Sequence, residues 1–364
     1  MQKVGSISIL HVILLSMTVI GLKNHVTIIP SLLKSAGRDG WISVFLAALV
    51  MIPWLFLIVY IHRSSKQLSI TNWLNTEIGN VPTVIFRYVT AFFLLLMAVF
   101  TMGETLHWIK ATFLPDSPLV LMILIYSILC IFLASTNLQT IVMVNVVVLF
   151  WVVILGFFVA FTNIQVKNYA LLIPFFEHGL EPVFVSMVFP ASGFIELLLF
   201  LFIQQNVKGK FHWYHYAIML FILHSLTMGP LVGAITEFGP HEAMKQRYPA
   251  YEEWGLVSIG RFIEHLDFLS IYQWLTGTFV RVAFILYIVT DLLQMKGNRK
   301  RIWKILGPAF FFLSSALFLI DDQMFLKIKG DYFLIVTFFF MVLLTCFLLI
   351  MAFIKKEQHE NSKT

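Results

Sequence analysis

Six charged residues lie inside long apolar segments of this chain: Lys23, Arg87, Glu104, Glu196, Arg281 and Asp291. A charge in hydrocarbon is expensive, so each has to face protein or find a partner. The chemistry open to such residues is mutual pairing or the binding of a charged solute. Catalysis is not indicated, because no nucleophile–base arrangement and no phosphate-cradling loop is present. His107, His215 and His224 have no metal-ligand spacing and read as satisfied polar groups of a helix bundle. Neither an enzyme nor a metal or cofactor protein is expected.

Depth along the segments suggests which charges meet. Arg87 lies about four residues from the start of the third span, and Asp291 about three from the end of the eighth. Glu104 lies about six residues from the far end of the third span, and Arg281 about ten from the start of the eighth. At about 1.5 Å per residue both sets match to within roughly one helical turn. The third and eighth spans are therefore predicted to be neighbours joined by Arg87–Asp291 and Glu104–Arg281. Lys23 and Glu196 lie at mid-depth and form a third expected pair. Arg87 and Asp291 are near an interface, where charges commonly snorkel, and read as structural.

Lys23 and Glu196 each flank an interruption. The first is Gly21-Leu22-Lys23-Asn24-His25 followed by Pro30, and the second is Pro190-Ala191-Ser192-Gly193 in the sixth span. Polar and helix-weakening residues at membrane depth leave backbone groups that hydrocarbon cannot satisfy. Such a break persists only where protein buries it or a cavity adjoins it. A matched pair, one per half of the chain, is the pattern of transporters with inverted repeats, whose substrate sits at the bilayer midplane. Free N–H groups at a half-helix N-terminus suit a carboxylate, and free carbonyls with Glu196 or Glu104 suit an ammonium. A small zwitterion such as an amino acid fits both. Lys23 or His25 could instead serve as an internal cation in place of a coupling sodium ion or proton.

The elements that must carry these residues follow from composition. The 364 residues are 59% hydrophobic and only 12% charged, against about 25% charged in a soluble domain. Mean hydropathy is +0.88. An all-α polytopic membrane protein follows, with apolar runs too long for barrel strands. Ten spans are expected, at 7–34, 41–61, 83–110, 118–134, 139–161, 183–205, 213–235, 271–294, 305–320 and 332–354. They make one domain over 1–364, with a first half at about 7–161 and a second at about 183–354. Residues 62–82 have room for a surface helix, and the long polar stretch 236–270 for a short amphipathic helix near Leu256–Leu266. The basic pI of about 9.2 comes from short loops, which argues membrane orientation rather than nucleic-acid binding. With the N-terminus inside, inner segments carry 13 Lys and Arg and outer segments 9. The cluster Arg299-Lys300-Arg301 lies in a short inner loop, so both termini are expected in the cytoplasm. Cys130 and Cys346 lie within apolar spans and do not suggest a disulfide framework.

Three stretches carry a family resemblance. They are Asn24-His25-Val26 through Pro30 with Gly37-Arg38-Asp39-Gly40-Trp41, then Phe189-Pro190 with Gly193, then Arg261-Phe262 to Asp267-Phe268 with Trp274-Leu275-Thr276-Gly277-Thr278-Phe279-Val280-Arg281. Over essentially its whole length the chain resembles the spore germination permeases, the B subunits of GerA-type nutrient germinant receptors in the amino acid–polyamine–organocation superfamily. The resemblance implies a leucine-transporter-like 5+5 inverted repeat with helices 1 and 6 broken. It also implies a place in the inner membrane of a bacterial endospore and two partners: a membrane-embedded A subunit and a C-subunit lipoprotein on the outer face. Relatives commonly have small residues at the first break, where this chain has Lys23, Asn24 and His25.

The leading functional expectation is a sensor that binds a small nutrient, often an amino acid, between spans 1, 3, 6 and 8. Its ligand would meet Gly21, Lys23, Asn24, His25, Thr27, Glu104, Phe189, Ser192, Gly193, Glu196, Thr278 and Arg281. A ligand can switch such a bundle only through unequal affinity for its two states. A working amino-acid permease or antiporter, and a ligand-free scaffold subunit, are the alternatives.

Overall fold

The computed structural model describes residues 7–260 and 265–361. The first apolar segment consists of α1 (Ile9–Val19), a π-helical turn (Lys23–Thr27) and α2 (Ile29–Ala36). Next come α3 (Gly40–Ser64), the short α4 (Ile70–Ile78), α5 (Asn80–Thr112), α6 (Leu119–Ala134) and α7 (Leu138–Thr162). The sixth segment is α8 (Glu181–Ser186), α9 (Val188–Phe194) and a 3₁₀ run (Ile195–Asn206). Then follow α10 (Trp213–Phe238), α11 (Pro240–Ala243), α12 (Pro249–Gly255) and α13 (Leu269–Leu292). The ninth segment joins α14 (Arg299–Arg301), a π turn (Ile302–Leu306) and α15 (Gly307–Ala316). The last joins α16 (Asp322–Lys327), a π turn (Ile328–Phe333) and α17 (Leu334–Asn361). A two-residue parallel bridge pairs β1 (Ile7–Ser8) with β2 (Val207–Lys208). Among the described residues nine helices are long and apolar enough to cross a membrane, and α6 is a shorter apolar helix. The protein is thus an all-α polytopic membrane protein.

Burial follows from which helices face lipid. α5 and α13 pack along each other, as the matched depths of their charges predicted, and α13 also touches α1, α6 and α7. Its window is 78% buried, against 22% for α7. On α7 the exposed side chains include Val147, Phe150, Trp151 and Phe157. In water such a surface would drive aggregation, whereas in hydrocarbon it is at no disadvantage. α4 is the surface helix expected in 62–82: the Ser69 side chain caps it, and Trp73 and Leu74 anchor it.

The expected backbone breaks take a different form. At the first, N–H groups remain bonded, Asn24 N to Ile20 O at 3.1 Å and Ile28 N to Lys23 O at 3.2 Å. The helix widens into a π turn rather than unwinding, and an inserted residue shifts the side-chain register beyond it. Pro30 falls in the first turn of α2, where a missing N–H has no helical partner to lose. At the second, the helix restarts after Met187, so Pro190 falls in the first turn of α9. Past Phe194 the ladder tightens to 3₁₀ for 12 residues, far beyond the usual three or four. Passing from four-residue to three-residue hydrogen bonding skips one carbonyl, which needs another donor.

The Gly37–Trp41 motif proves to be a clamp between distant segments. Asp39 Oδ1 accepts from Phe176 N at 3.0 Å, and Oδ2 from Glu177 N at 3.1 Å. Arg38 pairs with Glu177 at 2.6 Å and also donates to the carbonyl of Ile173. Trp41 packs edge-on against Phe175. Gly37 adopts φ +55°, a left-handed conformation that suits glycine. The clamp fixes the entry to the sixth segment relative to the turn between α2 and α3.

The helix expected near Leu256–Leu266 lies earlier. Pro249 opens α12 and the helix ends at Gly255; residues 261–264 of the expected helix lie outside the described residues. Proline pre-sets the backbone for a first helical turn. Burial of Tyr251 and Trp254 then holds this short helix against the bundle.

Candidate functional site

The two interrupted segments touch where each changes its hydrogen-bonding pattern. Lys23, first residue of the π turn, donates from Nζ to Ser192 O at 2.9 Å and to Glu196 Oε1 at 2.8 Å. The lysine supplies a donor to a carbonyl beside the α-to-3₁₀ junction and a charge to the carboxylate beyond it. This is the expected Lys23–Glu196 pair. Arg281 completes it, with Nη1 2.7 Å from Glu196 Oε2 and Nη2 3.1 Å from Oε1. Arg281 also donates to the carbonyl of Val19, and through Nε to Thr101 Oγ1 at 3.3 Å.

The expected Glu104–Arg281 pair does not form. The guanidinium meets α5 at Thr101, three residues before Glu104, and turns to Glu196 instead. Glu104 is taken by Lys329, whose Nζ lies 2.7 Å from Oε1, while Thr27 Oγ1 donates to Oε2 at 2.9 Å. Arg87–Asp291 does not form either. Arg87 Nε donates to Leu292 O at 2.6 Å, and Asp291 faces Lys296 at 3.4 Å. Arg87 thereby satisfies a carbonyl in the last turn of α13, where backbone acceptors lack helical partners.

Glu104, Glu196, Lys23, Arg281 and Lys329 are all at most 6% exposed. All five line one cavity, together with Thr27, Phe100, Trp274, Thr278 and Thr337. Its free volume of about 30 Å³ is room for about two water molecules, so in this conformation the side chains fill the site. Of the twelve residues expected to meet a ligand, Lys23, Thr27, Glu104, Glu196, Thr278 and Arg281 line this cavity.

The other six do not line it and pack behind the lining residues. Asn24 Nδ2 donates to Thr227 at 3.2 Å, and its Oδ1 lies over Gly193. His25 Nδ1 lies 2.9 Å from Leu226 O. Gly21 packs closely on Leu226. The Ser192 hydroxyl returns to Phe189 O at 2.7 Å, and Phe189 lies in the core. Thr278 touches both shells, since its hydroxyl is 2.6 Å from that of Tyr126.

Lys329 is the residue the sequence reading missed. It stood as a loop cation just before a span placed at 332–354, but the helix is already under way and its π turn aims Lys329 inward. Phe333, one turn further on, stacks on Phe100 at 4.0 Å and holds this turn against α5.

An aromatic group packs around Trp274, which lines the cavity from the first turns of α13. Trp274 stacks on Tyr251 at 4.4 Å and meets Trp108 at 4.4 Å and Tyr248 at 4.6 Å. Tyr248 in turn covers the Lys329 ammonium at 4.9 Å. Beneath α12 the Glu253 side chain is buried with Oε1 unpartnered. Asn163 Nδ2 holds the neighbourhood, donating to Glu237 Oε2 at 2.9 Å and Glu253 O at 2.8 Å. Burial, and then the adjacent Glu237, push the Glu253 carboxyl well above the usual carboxylate range, while Lys167 opposes the shift. A raised pKa means the folded state binds the proton more tightly. The resulting stability is full below the ordinary carboxylate pKa and is lost as pH rises through the raised one. Amide exchange over 249–255 should therefore quicken as pH rises, after correction for intrinsic rates, and Glu253→Gln should flatten that dependence. Equal pH dependence in both proteins would contradict this.

A family model described as "Spore germination protein" matches residues 6–323. "Spore germination protein XB" of Bacillus anthracis is 36% identical over 338 residues, 93% of this chain and 95% of that protein. "Putative spore germination protein YfkT" of Bacillus subtilis is 27% identical over 278 residues, 74% of each chain. "Spore germination protein A2" of the same organism is 23% identical over 264 residues, 70% of each. The chain belongs to the spore germination permease family.

Proposed function

We propose that this protein is the membrane subunit of a nutrient germinant receptor. It recognises a small nutrient, an amino acid in the first instance, in the cavity between the two interrupted segments, and the bound state triggers germination. The observation that carries this reading is five buried charges converging on one cavity where both segments change helical type. A purely structural bundle has little use for so many, since buried ion pairs are weak contributors to stability.

A ten-helix 5+5 inverted repeat underlies this reading, and the packing supports it. The pairing of the first segment with the fifth (α1 with α7) is matched by the sixth with the tenth (α9 with α17). The pairing of α1 with α10 is likewise matched by α9 with α3. On this reading both termini face the cytoplasm of the spore core across the inner membrane. The opposite face, with its aromatic group around Trp274, meets the nutrient and the C subunit, and the membrane-embedded A subunit lies beside the bundle. Because the cavity has room for only about two waters, nutrient entry requires the aromatic group around Trp274 to move. Affinity for the opened arrangement over the closed one is what would drive the switch.

The test uses spores carrying this receptor as their only one, against single amino acids, sugars and nucleosides. Lys23→Ala and Arg281→Ala, at equal receptor abundance, should shift the concentration dependence for one nutrient by about tenfold or more, the scale of one lost charge-assisted contact. Unchanged responses in both would move the ligand site elsewhere.

A further inference from the structure

With every side chain ionised, the charges around the cavity do not balance. Lys23, Arg281 and Lys329 face only Glu104 and Glu196, and no other charged side chain among the described residues lines the space. Two of the cations share Glu196: Arg281 occupies both of its oxygens, and Lys23 shares Oε1. Their remaining bonds go to neutral groups, the carbonyls of Ser192 and Val19 and the hydroxyl of Thr101. The third cation sits as a ligand amine would sit. Lys329 Nζ has the Glu104 carboxylate at 2.7 Å and the Tyr248 ring face at 4.9 Å, a carboxylate and an aromatic face on one ammonium.

We infer that the cavity selects a small carboxylate monoanion, with Lys329 already occupying the place of a ligand's ammonium. This rests on the proposed midplane site and keeps its place, but replaces the zwitterionic amino acid by a ligand with a carboxylate and no ammonium. A surplus positive charge in a low-dielectric pocket is costly, and a monoanion placed beside Lys23 and Arg281 removes it. A zwitterion leaves the surplus standing and must also displace Lys329 from Glu104. A cation increases the surplus.

The test measures binding of propionate, alanine and alaninamide to the full-length protein in lipid discs at neutral pH and constant ionic strength. Propionate should bind at least about tenfold more tightly than alanine, a conservative figure for one unit charge inside a protein, and alaninamide least. Lys329→Met leaves two charges of each sign and frees Glu104, so it should reverse the order of propionate and alanine. Lys23→Met also balances the charge while leaving the Arg281–Glu196 pair intact. It should weaken propionate by about tenfold or more, and it serves if the first variant does not fold. Alanine binding as tightly as propionate to the unaltered protein, or unchanged selectivity in both variants, would overturn the inference. The midplane reading would survive that result, because it depends on where the natural nutrient binds rather than on its charge.

Discussion

Glu196→Gln is expected to lower stability by about 3–5 kcal/mol, the range for removing one member of a buried ion pair. Glu196 is fully buried and is the only carboxylate bonded to Lys23 and Arg281 among the described residues. An amide keeps the shape but leaves two cations facing each other across a neutral group. Lys23→Met should cost less, about 1–3 kcal/mol for the Ser192 carbonyl left without its donor, because Arg281 still holds both oxygens of Glu196. The difference can be read from urea unfolding in mild detergent, followed by alkylation of Cys130, which is buried. The exposed Cys346 is first replaced by serine. Equal losses for Glu196→Gln and Lys23→Met would mean that the two cations do not depend on the shared carboxylate.

Gly193→Ala is expected to be the most damaging of the small substitutions. A Cβ at this position would lie 1.6 Å from Asn24 Oδ1 and 2.5 Å from its Cγ, so the two cannot coexist. Asn24 is fully buried, and moving it also breaks its bond to Thr227. Overpacking of this kind costs about 1–3 kcal/mol. Because it separates the two interrupted segments, it should also weaken the Lys23 contacts to Ser192 and Glu196. Asn24→Ala in the same protein makes room for the new methyl. The double variant should therefore be more stable than the sum of the two single losses by about 1–3 kcal/mol. Simple additivity would place the strain elsewhere.

Class and helix layout were legible in the sequence, because hydrocarbon demands long apolar helices and tolerates few charges. The Lys23–Glu196 meeting was legible too, since both lie at mid-depth beside matched interruptions. So was the contact between α5 and α13. What depth could not give was the direction in which a side chain points. Glu104 and Arg281 lie on adjacent helices at similar levels, yet Arg281 turns to Glu196 and Glu104 to Lys329. Lys329 was hidden by a boundary error of a few residues, enough to turn a cavity cation into a loop charge. The form of the interruptions was hidden as well. Proline and glycine announce a disturbed ladder, but a π turn and a long 3₁₀ run disturb it without leaving most N–H groups unbonded. For the same reason half of the expected ligand residues lie behind the cavity lining. A helix that keeps its turns, unlike an opened one, presents only one face to the cavity.

The most direct test of a nutrient site at the crossing is binding of the nutrient that germinates such spores to the purified protein in lipid discs. Thr337→Phe puts a ring into the small cavity that Thr337 lines, whereas Thr71→Phe alters a separate polar basin near the chain termini. Both variants must keep Cys130 unreactive, as proof of folding. The account predicts that Thr337→Phe abolishes binding and Thr71→Phe leaves it unchanged. Full-affinity binding to folded Thr337→Phe protein would contradict the account and move recognition away from the crossing.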